Sequence, residues 1–234
     1  MNIEGNHLPK SLEHCYIENS IVQFNYKTPF FWKYVQQKIV ESMSAYGFEL
    51  DEYPLVGDEM GKESSKEKMS FFTDREFKFL VEGRCISFNC VSDYTGWGRY
   101  SRFIRIAMQA IPVQDLEFKS VYIRYISRYD EVPIFQKLDG SVSMNQFQNV
   151  NGAEIRFPVK EANGISGLVR LTNMMQSNDG QHQASFADVE LSYPLNTNSV
   201  DEVLSACDMI HESEKKNFFR TISEEFVHEL GPTY

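Results

Sequence analysis

Cysteine is scarce and scattered: Cys15, Cys85, Cys90 and Cys207 are the only four, with no CxxC pair and no Cys/His cluster. That spacing gives a zinc site no support. Mostly buried, reduced thiols are the expectation. Long apolar runs are missing too. Nothing approaches the ~20 residues of a membrane helix, and the first ten residues lack the apolar core of a signal peptide. The expectation is a cytoplasmic chain with no membrane contact. Also missing are a phosphate-binding Walker loop, a dinucleotide GxGxxG after a strand, an HExxH helix and a GxSxG elbow. No cofactor or metal is therefore expected, and the reading leans away from an enzyme. Positive charge is in deficit, with 23 Lys and Arg against 33 Asp and Glu and a net charge of −10. Such a chain is repelled by phosphate backbones, which argues against nucleic acid as a partner.

What the chain has is core material. Hydrophobic residues make up 42% of it and aromatics 14%, with eighteen Phe and twelve Tyr. Each buried ring removes roughly 150–250 Å² from water. This excludes a disordered composition, while a length of 234 residues leaves both one and two domains open.

The residue pattern predicts an α+β protein of antiparallel strands with helices packed on one side. Residues 1–20 read as a polar surface segment. Ile21 to Lys27 alternates as a strand. Thr28 and Pro29 start a helix that presents Phe31, Val35, Ile39, Met43 and Tyr46 on one side and stops at Gly47. Residues 49–67 read as a mobile loop. Three strands follow, Met69 to Thr73, Phe77 to Val81 and Cys85 to Val91, with short hairpin connections at Asp74–Arg75 and around Gly83. A second helix carries Tyr100, Phe103, Ile104, Ala107, Met108 and Ile111, and Pro112 ends it. Val121 to Tyr129 is a further strand. The order is β-α-β-β-β-α-β, and residues 1–130 are read as an N-terminal part. Residues 131–234 are read as a C-terminal part, β-β-β-α, that can share one core with the first. Its strands are Glu154 to Lys160, Ile165 to Asn173 and Ala184 to Tyr193, with a turn at Asn178–Gly180. One long helix then runs from a Ser199 cap to Leu230.

Three constellations bear on chemistry. Arg99, Arg102 and Arg105 recur at steps of three on one helix face, next to a Gly-rich aromatic turn at the helix N-terminus. Guanidiniums so placed hold phosphates or carboxylates bidentately; the plainer alternative is an exposed, solvated helix face. Between Arg99 and Arg128 six basic residues, Arg124 among them, stand against two acidic ones. Trp97, flanked by glycines, is either an exposed interface anchor or a cover for the sheet. On the last helix Cys207, His211, Glu214 and Phe218 share a face, with Asp208 in reach of His211. His211 with Asp208 or Glu214 makes a possible general acid–base pair, or a core histidine satisfied by a neighbour.

The stretch from Asp208 to Glu225 resembles the C-terminal signature of a sporadically distributed family of bacterial proteins. That signature has an acidic helix with a histidine, here His211, and a phenylalanine seven residues on, here Phe218. A threonine-bearing turn, here at Thr221, precedes its last helical piece. Arg124, Tyr125 and Ile126 resemble its central strand; Tyr94, Trp97 and Tyr100 its aromatic turn; Leu12 to Phe24 its opening strand. Ser127 departs from the family's Asn and Tyr16 from its Pro. The resemblance touches nearly the whole chain in four short islands. It carries over no biochemical role of any kind. The family's scattered distribution is similar to that of mobile accessory genes such as toxin–antitoxin or phage-defence cassettes, an association rather than a mechanism.

The sequence thus leads to two expectations. The first is a non-catalytic component that binds another protein, with a second copy of the chain as one form of partner. The second is a sensor or enzyme that holds a phosphorylated small molecule or nucleotide on Arg99, Arg102, Arg105 and Arg124, with His211 as acid/base.

Overall fold

A computed structural model of the chain describes residues 8–30, 32–51, 68–73, 76–90, 93–140, 151–176, 180 and 182–234. The fold is mixed α+β, as the residue pattern predicts. The chain divides into two compact units, each assembled from separate stretches. The first holds Ser20–Tyr122 and Tyr193–Asp208; the second holds residues up to Asn19, Ile123–Ser192 and Met209–Tyr234. Among the described residues no helix is long and apolar enough to cross a membrane.

In the first unit the strands are β2 (Ile17–Lys27), β3 (Glu49–Asp51), β4 (Lys68–Thr73), β5 (Phe77–Glu82), β6 (Cys85–Cys90) and the start of β7 (Glu117–Asp130). They hydrogen-bond in the order β3-β4-β5-β6-β2-β7. Alternation dictates which side is buried: Phe77, Phe79 and Val81 on β5, Ile86 and Phe88 on β6, Val22, Phe24 and Tyr26 on β2. Helices α1 (Trp32–Ala45) and α2 (Trp97–Ala110) supply Val35, Ile39, Met43, Tyr100, Phe103, Ile104 and Met108 to the core. The ring of Phe103 lies 4.9 Å from Phe77 and 5.8 Å from Phe88. The buried Tyr100 hydroxyl donates to the Phe88 carbonyl at 2.6 Å, so its polar end is satisfied inside the core. Burial, first of all, holds its ionisation well above the ordinary range.

Three local expectations change. The strand expected from Ile21 starts at Ile17, so part of the expected surface segment is sheet. Glu49–Asp51, expected in a loop, pairs with β4; residues 52–67, Asp74 and Arg75 lie outside the described residues. Tyr46, expected on the apolar face of α1, falls beyond the helix end and is 59% exposed, because Gly47 turns the chain at φ +78.

In the second unit β7 continues beside β10 (Gln183–Thr197), β9 (Ser166–Gln176) and β8 (Glu154–Lys160), in that order. The turn expected at Asn178 and Asp179 lies outside the described residues; Gly180 itself has φ +71. Gly167 on β9 is fixed by contact. A Cβ there would sit 2.0 Å from the Glu190 carbonyl oxygen and 2.8 Å from Leu191 Cα, both backbone atoms of β10. Gly167→Ala is expected to force the two strands apart at a cost of about 1–3 kcal/mol. Thermal unfolding reads that loss directly, and an unchanged midpoint would contradict the close approach.

The expected single C-terminal helix is two. Helix α3 spans Val200–Thr221 and α4 spans Glu224–Glu229. Ser199 caps α3 through the Glu202 N–H at 3.3 Å, as expected of that residue type. The break has a physical cause. Ile222 forms a β-bridge with Leu138, the Ser223 N–H donates to the Lys137 carbonyl at 2.8 Å, and the Asp139 N–H donates to the Thr221 carbonyl at 3.1 Å. Ser223 then caps α4 by accepting from the Phe226 N–H. Small β1 (Ser11–Leu12) and β11 (Pro232–Thr233) pair beyond it. Phe226 packs on Tyr129 of β7 with ring centres 5.5 Å apart.

Candidate functional site

The arginine row lies on α2, which opens after Gly96 at φ +96. Steps of three do place Arg99, Arg102 and Arg105 on the exposed side, but two of them meet carboxylates of the chain itself. Arg99 Nη2 is 2.6 Å from Glu76 Oε2, and Arg105 Nη2 is 3.7 Å from Asp208 Oδ2. Arg102 is exposed and, among the described residues, makes no ion pair. Asp208 has a second partner: the Trp97 indole N–H donates to its Oδ1 at 3.1 Å. Trp97 is therefore half-buried and tied to α3, with its ring edge-on to Tyr100 at 6.1 Å. The structure brings Trp97, Arg105 and Asp208 together.

Arg124 belongs to the second unit and is used differently. Its Nε and Nη2 close bidentately on Asp188 at 2.8 and 2.7 Å. Arg170, directly opposite Asp188 on β9, also binds that carboxylate. Asp188 is 7% exposed. A carboxylate this sheltered is kept by the two forks that neutralise it.

His211 and Glu214 point from α3 toward β7 and are buried. The His211 ring meets Tyr125 edge-on at 5.9 Å. Burial, with a smaller contribution from Lys215, pulls its pKa down to about 3. Burial pushes the Glu214 carboxyl up to about 8, with Glu212 adding to the rise and Lys215 opposing it. Tyr129 is also raised, by burial first and with Glu214 contributing. At neutral pH both His211 and Glu214 are therefore uncharged. An acid–base pair needs a pKa near the working pH and reach to a substrate proton. His211 has neither, and Asp208 is engaged by Trp97 and Arg105. The Cys207 thiol is buried and raised by that burial. Cys15 is exposed, and Cys85 and Cys90 are half-buried; the expectation of mostly buried thiols therefore holds in full for Cys207 alone. Among the described residues no group of three or more His, Cys, Asp or Glu is placed to hold a metal.

The sequence reading missed a groove. It has a volume of about 790 Å³ and lies wholly within the second unit, between the inner face of β8–β9 and the C-terminal turns of α3. Alternation puts Ile155, Phe157 and Val159 of β8 and Leu171 of β9 on its floor. Phe157 is 42% exposed, although it stands on the side of the strand that faces α3. Lys160, Glu161, Asp139 and Arg220 rim the floor. Glu161 is anchored: its Oε1 accepts from the Ser213 hydroxyl at 2.5 Å and from Asn217 Nδ2 at 3.2 Å. The alternating β8 segment was legible in the sequence. That α3 leaves it partly uncovered was not.

Fold and site together define a mixed α+β chain with an apolar-floored groove in its second unit. Comparison with protein-family models and with curated proteins finds no match for this chain.

Proposed function

We propose that this chain is a non-catalytic protein-interaction component of a bacterial accessory system, of the kind found in phage-defence or toxin–antitoxin cassettes. The observation that carries the reading is the state of the residues best suited to chemistry. Arg99, Arg105 and Arg124 spend their charge on Glu76, Asp208 and Asp188 of the same chain, and burial keeps His211 neutral. What remains on offer to a partner is surface. The half-exposed Phe157 in its groove is of the aromatic type that anchors protein interfaces. The bacterial accessory setting rests on the resemblance carried by His211, Phe218 and Thr221, and by the Arg124–Ile126 and Tyr94–Tyr100 segments.

Native mass spectrometry of the protein purified from its host at low salt tests this. Added mass equal to a second polypeptide is the expected result. Turnover of a nucleotide or nucleic acid that His211→Ala abolishes without unfolding the protein would end the reading.

The second reading, a site for a phosphorylated small molecule, keeps one observation in its favour: Arg102 is exposed and without an ion pair among the described residues. It predicts that nucleotides raise the melting temperature and that Arg102→Ala removes the rise while leaving the ligand-free midpoint in place. No shift with any nucleotide or phosphate eliminates it.

A further inference from the structure

We propose that residues 10–16 and 230–233 form a pH-sensitive clasp over the layer between α3 and β7, closed while Glu214 is protonated and opening as it ionises.

The clasp lies within the second unit and is defined by its contacts. Ser11 and Leu12 of β1 pair with Thr233 and Pro232 of β11. Around that pairing the Lys10 N–H donates to the Thr233 carbonyl at 2.6 Å, the Glu13 N–H to that of Gly231 at 2.9 Å and the His14 N–H to that of Leu230 at 3.1 Å. Glycine admits this close approach: a Cβ on residue 231 would lie 2.7 Å from Glu13 Cβ. Both sides of the clasp converge on one ring. Tyr16 packs on Tyr129 of β7 with ring centres 5.0 Å apart. Phe226, on the helix that leads into β11, meets the same ring at 5.5 Å. Tyr16 is half-exposed and Tyr129 buried, so Tyr16 is the outer cover and Tyr129 the floor beneath it.

Glu214 supplies the switch. It is buried on α3, one turn along from His211, whose ring meets Tyr125 of β7. Its charge is felt at the Tyr129 hydroxyl. Among the described residues its carboxyl accepts no hydrogen bond and joins no ion pair. The titratable neighbours are few. On α3, Lys215 favours the carboxylate and Glu212 opposes it, and buried His211 is neutral. From β7 come Tyr125 and Tyr129. From the clasp come the Cys15 thiol and the Tyr16 phenol, both of which oppose ionisation of Tyr129. α4 buries only Phe226 and Val227, and β10, beside β7, buries Ala187 and Val189; none of these titrates.

A carboxylate left without a partner in such a layer needs water. Water gains entry by parting the sheet or by lifting the clasp. The β9–β10 ladder has nine paired positions and the β1–β11 ladder two, so the clasp gives way first. The sign follows from the proton count. Between the ordinary 4.5 and the folded value of about 8, the closed form holds a proton that the open form releases. Rising pH therefore opens the clasp.

Hydrogen exchange of the full chain, resolved by peptide and corrected for the intrinsic pH dependence of exchange, tests this at pH 6 and pH 8. Release of one proton per opening shifts the opening constant by up to tenfold per pH unit, so protection across residues 10–16 is expected to fall about tenfold or more between the two pH values. Protection across residues 183–192 of β10 is expected to hold. Glu214→Gln is expected to abolish the fall. Tyr16→Ala, at a half-exposed position, is expected to lower protection of residues 10–14 at both pH values. Unchanged protection of residues 10–16 in the parent, or a fall shared equally by residues 183–192, would overturn the proposal without recourse to any variant. An undiminished fall in Glu214→Gln would overturn it as well.

Discussion

Asp188→Ala should be among the most damaging single substitutions in the chain, costing about 3 kcal/mol of stability. The carboxylate is sheltered and binds Arg124 through two bonds and Arg170 through another. Its removal deprives the Arg124 guanidinium on β7 and the Arg170 guanidinium on β9 of the carboxylate that β10 places between them. Breaking a buried pair costs roughly 3–5 kcal/mol, chiefly through the charge left behind. The arginine heads are 30% and 24% exposed, so water recovers part of that and the low end applies. Replacing Arg124 alone should cost less, because Arg170 still neutralises Asp188. Urea unfolding of the two variants and of the double variant measures the difference as a coupling energy. Equal losses for Asp188→Ala and Arg124→Ala would contradict this account.

Stability should also pass through a plateau between about pH 4.5 and 6.5 and fall away on both sides, with Glu214 and His211 setting the edges. Glu214 titrates at an ordinary 4.5 when unfolded and at about 8 in the fold. Between those values the folded chain holds a proton that the unfolded chain has lost. Rising pH therefore weakens the fold throughout that window, by up to roughly a kcal/mol per pH unit. His211 works in the other direction. Its ordinary value is 6.5 and its folded value about 3, so in that window the unfolded chain binds a proton the fold refuses. Falling pH then favours unfolding by a similar slope. From pH 4.5 to 6.5 the two slopes oppose each other. From 6.5 to 8 only Glu214 acts and stability declines; from 4.5 down to 3 only His211 acts and stability again declines.

Glu214→Gln keeps the volume and removes the titration. It should flatten the alkaline limb, so that its midpoint temperatures at pH 6 and pH 8 differ less than those of the parent. His211→Phe should flatten the acid limb in the same way. Parent and variant profiles that run parallel across both windows would refute the assignment of these limbs to the buried pair.

The sequence determined by itself those features that depend on neighbours close along the chain. Strand alternation in Phe77–Val81 and Cys85–Cys90, the Ser199 cap, the stop at Pro112 and the α+β class follow from side-chain period and local backbone chemistry, and they reappear in the structure. Even the grouping of Arg99, Arg102 and Arg105 on one side of a helix was legible, because 3.6 residues per turn fixes it. Only the tertiary structure decided what those side chains do. Trp97 meets Asp208 across 111 residues and Arg124 meets Asp188 across 64, and no local pattern encodes a partner so distant. The same holds for the break in the last helix, which Leu138 and Lys137 impose from another segment, and for the groove. Alternation marked Ile155, Phe157 and Val159 as an inward face. How far α3 extends over that face depends on where the helix ends in space, and this is what leaves Phe157 open to a partner.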